Sequence, residues 1–155
     1  MTDTTRSSRR TGFVAMLMSG IAWLDRVPYA LLAIPLRFAV AIVFWNSAMA
    51  HLDNWDTTLE LFVTDYPLPF IPPAPAAFVA IAIELGAPIL LVFGLATRAT
   101  ALVLLGMVTV IEVFVYPEAW PTHIQWAAML LVLLCRGPGL WSVDSFISRT
   151  ARRTA

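Results

Sequence analysis

The chain has 155 residues, of which 59% are hydrophobic and 13% charged, and its formal net charge is zero. Soluble domains contain about 45–50% apolar and about 25% charged residues, so this composition excludes both an ordinary water-soluble globule and a disordered chain. All ten positively charged residues are arginines. Because the chain has no net positive charge, no nucleic-acid partner is expected. The expected environment of the chain is membrane lipid.

The N-terminal region is polar and basic over residues 1–12, which predicts a disordered segment. The apolar run at 13–24 is too short to cross a bilayer, which requires roughly 20 apolar residues. Two interpretations of this run remain open: the core of a signal peptide, or a helix lying flat in the membrane interface. The interfacial helix is favoured because no clear cleavage site precedes the next apolar segment. One membrane domain is expected over 13–155.

Four apolar segments are long enough, or nearly so, to cross a membrane: 27–50, 74–95, 98–116 and 121–136. They predict an all-α membrane protein built as a four-helix transmembrane bundle. Between the first two, residues 56–66 predict a surface helix capped by Asp56 or Thr57, and the proline-dense segment 67–75 predicts an extended strap. The sequence Gly-Pro-Gly at 137–139 ends the fourth segment, and a short surface helix is expected at 141–147, beginning at Ser142.

The positions of the arginines other than Arg37 predict the direction of the chain across the membrane. They precede the first crossing, separate the second from the third, or follow the fourth, whereas 51–73 and 117–120 contain none. Positive residues remain on the cytoplasmic side of a membrane. We therefore expect a multi-pass protein of the cell (inner) membrane with both termini in the cytoplasm.

Glu84 lies near the middle of the second crossing. An ionisable group inside a membrane helix costs free energy, so such groups are rare and are usually functional. Pro88, four residues later, cannot donate a hydrogen bond to the Glu84 carbonyl. Two interpretations remain open, a proton-handling or ligand-binding carboxyl and a residue that fixes helix packing. Arg37 lies within about 6 Å of Glu84 in depth, so an ion pair is predicted, with snorkelling to the surface as the alternative. Asn46 points away from Arg37 and is expected to bond across another helix.

Glu112 and His123 face each other across the tight turn between the third and fourth crossings, with Trp126 on the histidine's face. The pair predicts proton exchange near neutral pH, or a structural hydrogen bond. His51 and His123 could together hold haem or copper, with Met49 as a further ligand. No carboxylate partner of His51 is apparent from the sequence, so neither group, nor any other metal, is expected.

Short motifs follow one another in a specific order: Leu36-Arg37, the sequence IELG at 83–86, FGLATR at 93–98, and GPG and SVD at 137–144. Over about 36–147 the chain resembles the DoxX family of small four-helix membrane proteins. The resemblance marks Arg37, Glu84, Arg98 and Asp144 as motif positions. Residues 110–126 resemble a subgroup found beside copper-responsive peptide systems. At the end of the first helix the family usually has Gly-x-x-Lys, where this chain has Ala48 and His51.

Family members are commonly described as oxidoreductase subunits, so the resemblance implies a redox-linked protein with a quinone among its helices. Glu84, or the pair Glu112 and His123, would exchange protons, and a partner protein would supply electrons. A second hypothesis is a non-catalytic anchor or assembly partner of another complex, including a metal-stress peptide system. A third is a small permease built around Glu84 and Pro88. A protein partner or homo-oligomer is expected in each case.

Overall fold

The computed structural model describes the backbone of residues 4–66 and 69–154 and the side chains of residues 14–66 and 69–152. Within these residues all regular secondary structure is helical. Seven α-helices follow one another, with a short 3-10 turn at Pro117–Ala119. Their bounds are Thr4–Leu24 (α1), Tyr29–Asp53 (α2), Trp55–Thr64 (α3), Pro73–Phe93 (α4), Thr97–Phe114 (α5), Trp120–Arg136 (α6) and Val143–Thr154 (α7).

Three helices of the described chain, α2, α4 and α5, are long and apolar enough to span a membrane. The helix expected as a fourth crossing, α6, has 17 residues. The helices pack as two pairs, α2 with α4 and α5 with α6, and the core between the pairs consists of fully buried leucines together with Val40 and Phe44. Apolar side chains also cover the outer surface of α2, α4 and α5. The chain is thus an integral membrane protein whose helices contact lipid.

The loop helix α3 lies against α4 and begins one residue earlier than expected. Its N-cap is Asn54, whose side chain accepts a hydrogen bond from the Thr57 backbone N–H at 3.1 Å. The expectation of Asp56 or Thr57 as the cap was therefore wrong, since both lie inside the first turn. Phe62 is buried against α4, so this helix closes one end of the helix pair α2 and α4.

Only part of the proline-dense segment 67–75 is a loop, whereas the whole segment was expected to be extended. Helix α4 begins at Pro73, so the last prolines of the segment form its first turn. A proline is tolerated there because the first backbone N–H groups of a helix have no intrahelical partner. Residues 67 and 68 of the predicted strap lie outside the described residues.

The terminal segments differ in extent from the expectations. Helix α1 begins at Thr4, although residues 1–12 were expected to be disordered; residues 1–3 lie outside the described part. Arginine is a good helix former, so the helix can extend from the apolar run into the basic segment. The side chains of 14–24 are exposed, as an interfacial helix requires. At the other end Ser142 caps α7, accepting from the Ser145 N–H at 3.1 Å, and α7 continues well beyond residue 147.

A network of polar contacts, which we call the clamp, holds the end of the bundle where α2 begins and α6 ends. The Asp144 carboxylate accepts from the backbone N–H groups of Ala96 at 2.7 Å and Thr97 at 2.9 Å, so it caps α5. Gly94 ends α4 with a φ of +66°, and its carbonyl accepts from the Asp144 N–H. The clamp therefore joins α4, α5 and α7.

Candidate functional site

Glu84 is almost fully buried, with 3% of its surface exposed, and both of its carboxylate oxygens have partners on α2. The Ser47 hydroxyl donates to Oε1 at 2.8 Å. His51 Nδ1 lies 2.9 Å from Oε2. Ser47 and His51 are four residues apart, so they project from one face of α2 and meet the same carboxylate. Because a buried carboxylate without partners is costly, these two contacts explain how α4 retains a glutamate at its centre.

Arg37 does not pair with Glu84, so the predicted ion pair was wrong. The guanidinium is 3% exposed, and its Nη2 donates to the Trp141 carbonyl at 3.0 Å, while Nε and Nη1 have no partner among the described residues. Glu84 lies beside Ser47 instead, about 15 Å along α2 from Arg37 at 1.5 Å per residue. The predicted difference in depth between Arg37 and Glu84 assumed that α2 and α4 begin and end at the same depth in the membrane. The buried Arg37 also does not snorkel to the surface, and it belongs to the clamp.

His51 is held from the other side by the loop helix α3. The Thr58 hydroxyl donates to the His51 backbone carbonyl at 2.6 Å. The Phe62 ring lies edge-on to the imidazole, with the ring centroids 6.0 Å apart. Helix α3 therefore fixes the backbone and one face of His51, and Glu84 fixes its Nδ1.

Glu112 and His123 form a second acid–histidine pair, as the sequence predicts. His123 Nδ1 lies 2.6 Å from the Glu112 Oε2. His123 is buried, with 5% of its surface exposed, and its ring lies against Trp126 at a centroid distance of 5.2 Å. Trp126 in turn packs against Phe44 of α2. The second pair is thus built by α5 and α6 and is joined to α2 through aromatic contacts.

Both pairs open into one cavity, which we call the central cavity, with a volume of about 370 Å³. His51 and Glu84 line it from α2 and α4, and His123 lines it from α6. The remaining wall is mostly apolar and includes Ile83 and Met107. A cavity of this size, apolar except for a few converging polar groups, is typical of a small-molecule site.

The carboxylates determine which imidazole nitrogen remains for a ligand. In each pair the carboxylate oxygen contacts Nδ1, so Nε2 is the imidazole nitrogen that the carboxylate leaves without a contact. A carboxylate at Nδ1 orients the ring and stabilises its protonated form while Nε2 gives or takes a proton. Two such groups at one cavity can exchange two protons with one bound molecule.

The same carboxylate contact is found behind metal-binding histidines, and the sequence had given His51 no such partner. Glu84 supplies it. Among the described residues, however, no group of three or more histidine, cysteine, aspartate or glutamate side chains is placed to hold a metal ion.

Aromatic rings line the central cavity at the α3 end of the bundle. Phe62 stacks on Tyr66 at 4.7 Å, and Tyr66 meets Tyr116 edge-on at 5.6 Å. Burial raises the pKa of Tyr66 above the ordinary tyrosine value, and the neighbouring Tyr116 acts in the same direction. Tyr66 is therefore a neutral phenol at physiological pH.

The other predicted site residues lie away from the central cavity. Arg98 Nη2 donates to the Cys135 carbonyl at 3.3 Å, and Asp144 caps α5, so both hold the clamp end. Asn46 is exposed and lines a shallow apolar groove of about 310 Å³ beside Pro88. The interhelical bond expected for Asn46 is not present within the described residues.

Sequence reasoning missed the two residues that position the first pair, Ser47 and Thr58. The spacing of Ser47 and His51 was a usable signal, since polar residues four apart on an apolar helix share a face. Thr58 carried no such signal, because its contact depends on how α3 folds back over the end of α2.

Comparison with protein-family models matches residues 32–117 to the family described as DoxX. The matched span is more than half of the 155 residues, and it contains both glutamates of the two pairs together with His51. Searches of curated proteins and of solved structures give no match.

Proposed function

Because the chain belongs to the DoxX family, we propose that it is a redox-linked membrane subunit that binds a quinone headgroup in the central cavity and exchanges the protons of its reduction. The observation that carries this proposal is the convergence of two acid–histidine pairs, from the two helix pairs of the bundle, on one mostly apolar cavity.

The proposed arrangement in the membrane has four crossings, α2, α4, α5 and α6, with both termini in the cytoplasm of a cell whose inner membrane holds the protein. Helix α6 has 17 residues and is about 25 Å long, somewhat short of a hydrocarbon core of about 30 Å, so the bilayer thins there or the adjoining 3-10 turn completes the span. The distribution of arginines supports the orientation.

The proposed chemistry follows from the positions of the imidazoles. A quinone that takes up two electrons and two protons becomes a quinol, and its two carbonyl oxygens become hydroxyls. His51 donates one proton from Nε2 and His123 the other, while Glu84 and Glu112 stabilise the charged imidazoles beforehand. The electrons come from a redox centre of a partner protein, and the same residues accept the protons when quinol is oxidised.

Quinone binding to the purified protein in lipid nanodiscs tests the proposal. We expect wild-type protein to bind a benzoquinone above the level of empty nanodiscs, and Glu84→Gln to weaken binding at least about tenfold, because His51 loses the carboxylate that orients it. The matched control is Glu60→Gln, an exposed glutamate outside the cavity. Equal quinone content in protein-loaded and empty nanodiscs would leave the non-catalytic anchor as the better interpretation.

A partner is part of the proposal, and the groove at Asn46 supports it. Asn46 is an exposed amide on a membrane helix, where the amide lacks water and gains by bonding to another chain. The partner is either a second copy or another membrane protein, and the resemblance of residues 110–126 suggests a copper-responsive peptide system. We expect Asn46→Leu to weaken the association measured by cross-linking in membranes. The control is Met49→Leu, an exposed residue of α2 that does not line the groove; an unchanged yield for Asn46→Leu would exclude this groove.

A further inference from the structure

The mouth of the central cavity is formed by apolar residues on the outer surface of two membrane helices. Val79 of α4 is 56% exposed, and Val103 and Val110 of α5 are 49% and 39% exposed, although all three line the cavity. A residue that both lines a cavity and lies on the surface marks its opening. The opening therefore runs along the line where α4 meets α5, which we call the seam, and it continues to Ile71 and Tyr116, 47% and 40% exposed, at the α3 end.

The polar groups lie deep behind this opening. Glu84 and His123 are 3% and 5% exposed, so a molecule passing through the seam meets apolar side chains first and the carboxylate–histidine pairs last. A molecule with a compact polar ring and an apolar remainder matches this order, because the ring reaches the histidines while the remainder stays among apolar groups.

The α3 end of the opening differs from the seam in its lining. There Tyr66 contacts both Phe62 and Tyr116, and Phe62 of α3 is buried against α4. A ligand entering at this end passes aromatic rings, two of them bearing hydroxyls, whereas a ligand from lipid passes between valines at the seam.

The volume limits how much of a ligand is enclosed. About 370 Å³ accommodates a substituted ring, but not a ring together with a long hydrocarbon tail. We infer that the ligand is a lipid-phase molecule whose polar ring occupies the central cavity and whose hydrocarbon tail leaves through the seam into the bilayer. This inference rests on the proposed function and specifies its substrate class as tailed quinones.

A substitution at the mouth of the central cavity distinguishes the contribution of the tail to binding from that of the ring. Val103→Trp fills the seam without touching either pair, and Val113→Trp places the same side chain on an exposed part of α5 that does not line the cavity. Both variants are compared with wild type in nanodiscs, using one benzoquinone with an isoprenoid tail and one without. Each quinone is compared only with itself across the variants, so different partitioning into lipid cancels.

We expect Val103→Trp to weaken binding of the tailed quinone at least about tenfold, since overpacking at a filled passage is unfavourable, and to change binding of the tailless quinone less than about threefold. Val113→Trp should change neither. Val79→Trp, on the opposite wall of the seam, should repeat the effect of Val103→Trp and serves if that variant folds poorly.

Three results are distinguishable from the expected one. If Val103→Trp and Val79→Trp leave the tailed quinone unaffected while wild type binds both quinones, the seam is not the route and the inference is overturned. If these variants weaken both quinones equally, the ring itself lies in the seam and the inference is again overturned. If wild type binds neither quinone, the proposed function fails, and this inference with it.

Discussion

The carboxylate of Glu84 is buried beside an imidazole and a hydroxyl, and no arginine whose side chain the structure describes is in contact with it. A buried carboxylate next to an arginine would remain a fixed ion pair, because guanidinium does not lose its proton in proteins. Histidine, in contrast, can be neutral or charged near neutral pH. The partner of Glu84 is thus of the kind that the proposed function requires.

A double-mutant cycle tests this assignment of partners. We expect the losses of unfolding free energy from Arg37→Met and Glu84→Gln to add within about 0.5 kcal/mol, since the residues share no contact. Ser47→Ala with Glu84→Gln serves as the positive control, and these losses should not add, because the Ser47 hydroxyl bonds directly to the carboxylate. Reversible unfolding in detergent gives the values; coupling of Arg37 with Glu84 as large as in the control would contradict the structure.

The sequence predicted one acid–histidine pair and missed the other for a physical reason. Glu112 and His123 are 11 residues apart across a tight turn, and a short connection brings the ends of two helices together whatever their tilt. His51 and Glu84 are 33 residues apart, and the loop helix α3 lies between them in the chain. Their contact depends on the relative shift of α2 and α4, which helical periodicity does not determine.

The helix ends at the clamp show why a short glycine-containing motif separates α4 from α5. Gly94 has a φ of +66°, which side-chain-bearing residues adopt only with strain. A Cβ at this position would also collide with Arg37 Nη1 and with the Ser142 side chain. The same glycine therefore ends α4 and gives the buried guanidinium its space.

We expect Gly94→Ala to lower the free energy of unfolding by about 1–3 kcal/mol, from the combined backbone strain and side-chain overlap. The matched control is Gly106→Ala within α5, where nothing lies within 4 Å of the added methyl group. This control should leave stability unchanged or raise it by up to about 1 kcal/mol, because alanine is the better helix former. Thermal unfolding in detergent compares the two; equal losses would show that Gly94 plays no special part.

The spans of α2, α4, α5 and α6 were predictable to within a few residues, because apolar runs bounded by charge or proline determine them. The end of the proline-dense strap was not, since the prolines at 73 and 75 break a helix interior but fit the first turn of α4. The cap of α3 was also missed, because Asn54, Asp56 and Thr57 are all suitable N-caps and only the path of the preceding chain selects one.

The whole bundle divides its polar residues between two ends. The clamp, with Arg37, Arg98 and Asp144, bonds mostly to backbone groups and joins helices. The acid–histidine pairs lie in the half toward α3, where His51, Glu84 and His123 line the central cavity. The motif positions, which looked equivalent in the sequence, thus have different surroundings: Arg37, Arg98 and Asp144 contact backbone groups. Glu84 instead lines the central cavity.

Labelling with a membrane-impermeant thiol reagent tests the proposed arrangement of the four crossings. Cys135→Ser removes the only cysteine, and single cysteines are then placed by Glu118→Cys in the 3-10 turn or Ser148→Cys in α7. In intact cells, or in spheroplasts where an outer membrane is present, we expect the reagent to label the cysteine of Glu118→Cys. The cysteine of Ser148→Cys should be labelled only after permeabilisation. The reverse pattern would invert the orientation, and labelling of both sites without permeabilisation would exclude four crossings.

The claim on which the proposed function depends is that both acid–histidine pairs respond to one bound molecule. Infrared difference spectroscopy during electrochemical reduction of quinone bound to the protein in nanodiscs measures this directly. We predict carboxyl and imidazole signals in wild type, with one subset lost in Glu84→Gln and a different subset lost in Glu112→Gln, because each glutamate reports on its own histidine. A wild-type spectrum that neither substitution alters, at equal quinone occupancy, would contradict the claim.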